Sequence, residues 1–142
     1  MDQESVVYGC IKDIAVDPLS QEGMRRQETN HQAMMTLPVL QDMPMIAREM
    51  FSLSRGGSDA SGATEVVHFG ASYRAIEYEW ERWLAEFEQL LQQMYWVSAT
   101  VHLETELSGT HTFTWESQRM CHEPFSGDMA VRCEWEQEGL LC

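Results

Sequence analysis

Ile76, Trp80, Trp83, Leu84, Phe87, Leu90, Leu91 and Met94 recur at steps of three and four along residues 72–94. Side chains at that spacing share one side of an α-helix, so this stretch constrains the fold more than any other. Glu77, Glu79, Glu81, Arg82, Glu86 and Glu88 mostly take the remaining sides, which reads as a solvated face. Ser72 is the expected N-cap, although Ala75 three residues on leaves it without a capping-box partner. So wide an apolar stripe must bury against another layer, and Trp80 and Trp83 read first as core anchors.

Strand signals surround that helix. Val6–Ile11 is an apolar run of strand character, and a second helix is expected from about Ser20 to Leu37-Pro38, with Met24, His31, Met34 and Met35 near one stripe. Residues 49–54 and 64–70 read as two strands of a hairpin. Between them RGGSDASGA, residues 55–63, is a flexible loop without phosphate-binding glycine spacing. Along residues 96–104, Val97, Ala99, Val101 and Leu103 share one predicted face; Trp96, Ser98, Thr100, His102 and Glu104 share the other. Ser108-Gly109 supplies the turn into a return strand over residues 110–115.

The order is β-α-β-β-α-β-β. It predicts a single α+β domain over residues 1–142: a two-layer sandwich with a mainly antiparallel sheet and both helices on one face. A ferredoxin-like core with an added strand is the named version of that expectation. Residues 119–142 are a loosely patterned acidic segment, in which Val131, Cys133 and Trp135 alternate enough for a short edge strand or an extended tail.

Charge bounds the partners. Twenty-three acidic side chains against 9 basic ones give a formal net charge of −14, spread from Asp2 to Glu138 rather than gathered in one tail. Nucleic acid and anionic membrane surfaces would both repel such a chain, whereas a basic protein would attract it. No apolar run approaches the roughly 20 residues of a membrane span. The start, MDQESVVYGC, lacks a basic n-region, which predicts a cytoplasmic protein. Cys10, Cys121, Cys133 and Cys142 are too sparse for a disulfide-stapled scaffold and are expected as free thiols.

Candidate chemistry is thin. His68, His102, Glu104 and His111 lie on predicted strands, and two imidazoles with a carboxylate could hold zinc or iron if the strands brought them together. The same His102, Glu104 and His111 are the candidate catalytic groups. Cys121-His122 with Cys133, and a fourth ligand from Cys10 or Cys142, is a weaker thiolate–imidazole cluster. No motif calls for a cofactor.

Two function classes follow. One is a small acidic protein-binding or assembly domain, with Trp96, Thr100, His102, Glu104, Trp115 and Trp135 as the binding residues and a second copy of the chain or a basic protein as the partner. Its sharpest form is an antitoxin- or immunity-type inhibitor steered toward the cationic cleft of a nuclease toxin. The alternative is a small-molecule or metal-dependent enzyme built on the sheet histidines.

Overall fold

Glu4–Ala15 forms β1, the strand around which the sheet is built. Its side chains alternate: Ser5, Val7, Ile11 and Asp13 are buried, while Glu4, Tyr8 and Lys12 are exposed. A computed structural model describes residues 4–17, 19–55, 64–117, 120–127 and 129–136. Helix α1 spans Gln21–Met35, and strands β2 (Phe51–Arg55) and β3 (Thr64–Arg74) follow. After helix α2 (Trp80–Gln92) come β4 (Ser98–Thr105), β5 (Gly109–Ser117) and β6 (Met129–Glu136).

The six strands lie in the order β2-β3-β1-β4-β5-β6, and every neighbouring pair is antiparallel. β1 to β2 and β3 to β4 are each joined through a helix, and each pair has one other strand inserted between its members. Two split β-α-β units therefore interleave, and β5 and β6 extend the sheet as a meander. Residues 129–136 are an edge strand rather than an extended tail.

Register explains the single core. Val7 sits between Ala71 and Leu103, Gly9 between Phe69 and Val101, and Ile11 between Val67 and Ala99. Val7, Ile11, Val67, Phe69, Val101 and Trp115 join one cluster with Ala33 and Met34 of α1 and with Trp83, Phe87, Leu90 and Leu91 of α2. Both helices thus cover the same sheet face. The fold is α+β in two layers, as the periodicity requires.

Close strand packing shows at Gly9. A Cβ there would overlap the carbonyl oxygen of Thr100 and come within 2.9 Å of Phe69 Cζ. Gly9→Ala is expected to cost about 1–3 kcal/mol by overpacking, seen as a lower urea midpoint. An unchanged midpoint would mean that β1 and β4 can part without penalty.

Two local expectations are corrected. Ser72 is not a helix cap: β3 continues to Arg74 because β1 begins at Glu4 and pairs with it. Ala75 then takes a left-handed conformation (φ 52°), and a 3-10 turn over Ile76–Glu79 leads into α2. The buried Ser5 hydroxyl fixes this entry, accepting from Ile76 N at 3.2 Å and donating to Glu77 Oε1 at 3.2 Å.

Helix α1 begins where expected, its Ser20 cap accepting from Gly23 N at 3.0 Å. Its inner side, however, is Gly23, Arg26, Asn30, Ala33 and Met34, leaving Met24, His31 and Met35 exposed. Polar anchors hold that side. Arg26 grips Asp13, and Asn30 exchanges two hydrogen bonds with the Tyr95 backbone (2.7 and 3.0 Å). The loop expected over 55–63 falls, after Arg55, on residues 56–63, which lie outside the described residues.

Candidate functional site

The sheet face away from the helices carries an ordered side-chain constellation open to solvent. Tyr8, His102 and Thr112 stand side by side on β1, β4 and β5. The Tyr8 and His102 rings stack with centroids 4.9 Å apart and planes 29° from parallel. His102 Nδ1 hydrogen-bonds Thr112 Oγ1 at 3.0 Å, and the Tyr8 hydroxyl donates to Glu104 Oε1 at 2.8 Å. Both rings are thereby held in one orientation before anything binds. Gly70, across from Tyr8 on β3, adds no side chain, and Tyr8 remains 36% exposed.

The next row along the sheet runs His68, Cys10, Thr100 and Thr114. Acidic positions border the stack: Glu104 is exposed beside it, and Glu134 and Glu136 of β6 pair with Thr112 and Thr110. Strand pairing produces this surface. Tyr8 and Glu104 are 96 residues apart in the chain, and only the β1–β4 register makes them neighbours.

Several expected site residues lie elsewhere. Trp96 is fully buried, not on the open face. It precedes β4 and forms an isolated bridge with His122, its ring stacked on that imidazole at 4.7 Å and its indole N–H donating to Leu91 O at 2.8 Å. Trp115 also has no exposure; it faces the helices and meets Phe87 edge-on at 5.1 Å. Trp135 pairs with His111 on β6.

The histidines divide between the two faces. His68 and His102 are on the open side, whereas His111 shares the helix-side row with Leu103 and hydrogen-bonds Ser108 Oγ at 2.9 Å. Alternation across the strand separates His111 from His102, one residue-pair away, so the three do not form one centre. Among the described residues no three His, Cys, Asp or Glu side chains stand where they could hold one metal ion.

Cys121-His122 does not assemble a ligand set either. His122 is buried with Nδ1 against Met94 O at 2.9 Å, which ties residues 120–127 to the end of α2. Cys10 lies on β1 in the open-face row with His68 and Thr100, whereas His122 bridges Trp96. Residue 142 lies outside the described residues.

No family model, curated protein or solved structure matches the chain. The functional reading therefore rests on surface chemistry. His102 and Glu104 line none of the cavities beside α2 and the end of β3. A flat, preorganised patch of ring, imidazole and carboxylate suits recognition of another surface. No described helix is long and apolar enough to cross a membrane.

Proposed function

We propose that the chain is a small acidic protein-binding domain, working in the cytoplasm, that docks a basic partner protein on its open sheet face in the manner of an antitoxin or immunity inhibitor. The observation that carries this reading is the Tyr8–His102 stack, fixed by Thr112 and Glu104 and bordered by acidic positions. Tyrosine presents large area with few torsions to lose, and rings already locked in place lower the entropic cost of association. Glu104 offers a carboxylate to an arginine or lysine, while the net charge of −14 speeds encounter with a cationic surface and disfavours nucleic acid. The same charge opposes pairing of this face with a second copy of itself.

The test is capture from the native cytosol with tagged wild type and a Tyr8→Ala/His102→Ala variant, then titration of the purified partner at two salt concentrations. A basic partner is expected, bound about 30-fold more weakly by the variant, as for an interface anchor, with an on-rate that falls steeply with salt. Retention of the partner by the variant at full affinity would overturn the assignment to this face. A chain that instead dimerises through the same sheet face would overturn the heterotypic reading.

A further inference from the structure

Strand β6 ends the sheet, so among the described residues its outer edge has no neighbouring strand. It pairs with β5 along its whole length, from Thr110↔Glu136 to Ser117↔Met129, without a shift in register. Its sequence, MAVRCEWE, contains no proline, glycine or lysine, the residues that commonly blunt or interrupt an edge. Its eight residues present a row of backbone hydrogen-bonding groups about 26 Å long. The opposite edge strand, β2, has only five residues.

Alternation sorts the strand into two rows. Arg132, Glu134 and Glu136 pair with Thr114, Thr112 and Thr110, which are open-face positions. Val131, Cys133 and Trp135 pair with Trp115, Phe113 and His111, which are helix-side positions. A second copy added antiparallel to this edge, about a two-fold axis perpendicular to the sheet, keeps each row on its own face. Opposed residues then come from the same row, so every permitted register is centred on one residue. The two longest registers each use seven of the eight residues, 129–135 or 130–136. The first is centred on Arg132 and sets that arginine against itself. The second is centred on Cys133 and sets Arg132 opposite Glu134 twice, once on each side of the axis. It also sets Val131 opposite Trp135 twice and Cys133 opposite Cys133.

We infer that this edge is a self-complementary dimer interface, at which two copies pair β6 with β6 antiparallel, centred on Cys133, into one continuous sheet. Charge complementarity chooses the occupant. Opposite charges directly across a strand pair attract and like charges repel, and the Cys133-centred register holds two opposite pairs and no like pair. The two Val131–Trp135 positions add β-branched–aromatic pairs to the other row. Edge pairing covers neither open sheet face, so the inference stands or falls separately from the docking reading.

The experiment is sedimentation equilibrium of the full chain under reducing conditions, at about 0.15 M salt to screen the distant surface charges. A reversible monomer–dimer equilibrium is expected. Glu134→Arg should weaken it about tenfold by turning two attractions into two repulsions, and Arg132→Glu/Glu134→Arg should restore it. Tyr8→Ala/His102→Ala should leave it unchanged. Oxidation of the wild type with copper phenanthroline, followed by peptide mapping, should join Cys133 to Cys133. Opposed Cα atoms about 4.5–5.5 Å apart lie within disulfide reach. A chain still monomeric at about 1 mM would overturn the proposal. So would a dimer that the paired charge swap fails to restore, or one that the open-face variant dissociates. The mapping needs no variant and decides the matter if Glu134→Arg does not fold: linkage only through other cysteines would overturn the register.

Discussion

Asp13→Ala is expected to lower the free energy of unfolding by about 3–5 kcal/mol, one of the two largest losses foreseen for a single substitution in this chain. Arg26 Nε and Nη2 donate to the two Asp13 carboxylate oxygens at 3.0 and 2.9 Å, with side chains only 4% and 5% exposed. Tyr95 packs its ring 4.5 Å from the guanidinium carbon, and Glu22 stands 3.5 Å from Nη1. Burial works against the charged guanidinium, but Asp13 and Cys121 more than offset it and hold the Arg26 pKa above the ordinary arginine range.

Truncating Asp13 would leave that charge largely enclosed with only the distant edge of Glu22 as an anion. The pair itself is not an efficient source of stability, because both ions lose their hydration. Asp13→Leu combined with Arg26→Met should therefore recover most of the loss. Arg26→Lys should not, since an ammonium cannot reproduce the two-pronged contact. Urea unfolding followed by tryptophan fluorescence measures all four proteins. A cost below about 1 kcal/mol for Asp13→Ala, the range of exposed pairs, would show that the pair opens to water.

Trp83→Ala is expected to cost a similar amount, about 3–5 kcal/mol, for a different reason. Trp83 is fully buried and links the rings that run across the core. It stacks on Trp80 at 4.9 Å and on Phe87 at 5.1 Å, and meets Phe69 at 6.4 Å. Its indole N–H also donates to Tyr73, so truncation removes both packing and a partly buried hydrogen bond. Trp80 is only half-buried, and Trp80→Ala should cost visibly less. Thermal unfolding of the two variants side by side reads the difference. Equal losses would mean that the helix stripe is anchored evenly rather than through its centre.

These two sites mark the limit of what patterning reveals. Helix α2 was legible because its inner face is made of side chains whose only favourable location is a core; Trp83, Phe87, Leu90 and Leu91 are buried as their spacing requires. Helix α1 was legible in its ends but not in its facing. Arg26 and Asn30 turn inward only because Asp13 and the Tyr95 backbone wait there, and those partners are 13 and 65 residues away. A hydrophobicity pattern contains no term for such matches.

The β3–α2 boundary escaped for a related reason. Residues 71–74 stay extended because β1 supplies partners for them, and local propensity at Ser72 is overridden. The candidate site divided along the same line. Thr100, His102 and Glu104 share the open face as strand alternation predicts, and Tyr8, which completes the constellation, drew no attention from its local sequence. Alternation does not extend back to Trp96, because the chain has left the ladder there to bridge His122. Residue type alone points Trp115 to binding, but its row in β5 is the helix-side row, with Ala99 beside it.

By itself the sequence determined the two-layer α+β class, the core face of α2, the alternation of β4 and a formal net charge of −14. Each follows from near-neighbour periodicity or from a sum over residues, neither of which needs a distance between remote positions. The tertiary structure alone decided the strand order, the separation of His111 from His102 and the union of Tyr8 with Glu104. Those depend on pairing register and on which surfaces meet, and a one-residue slip would have reversed every facing.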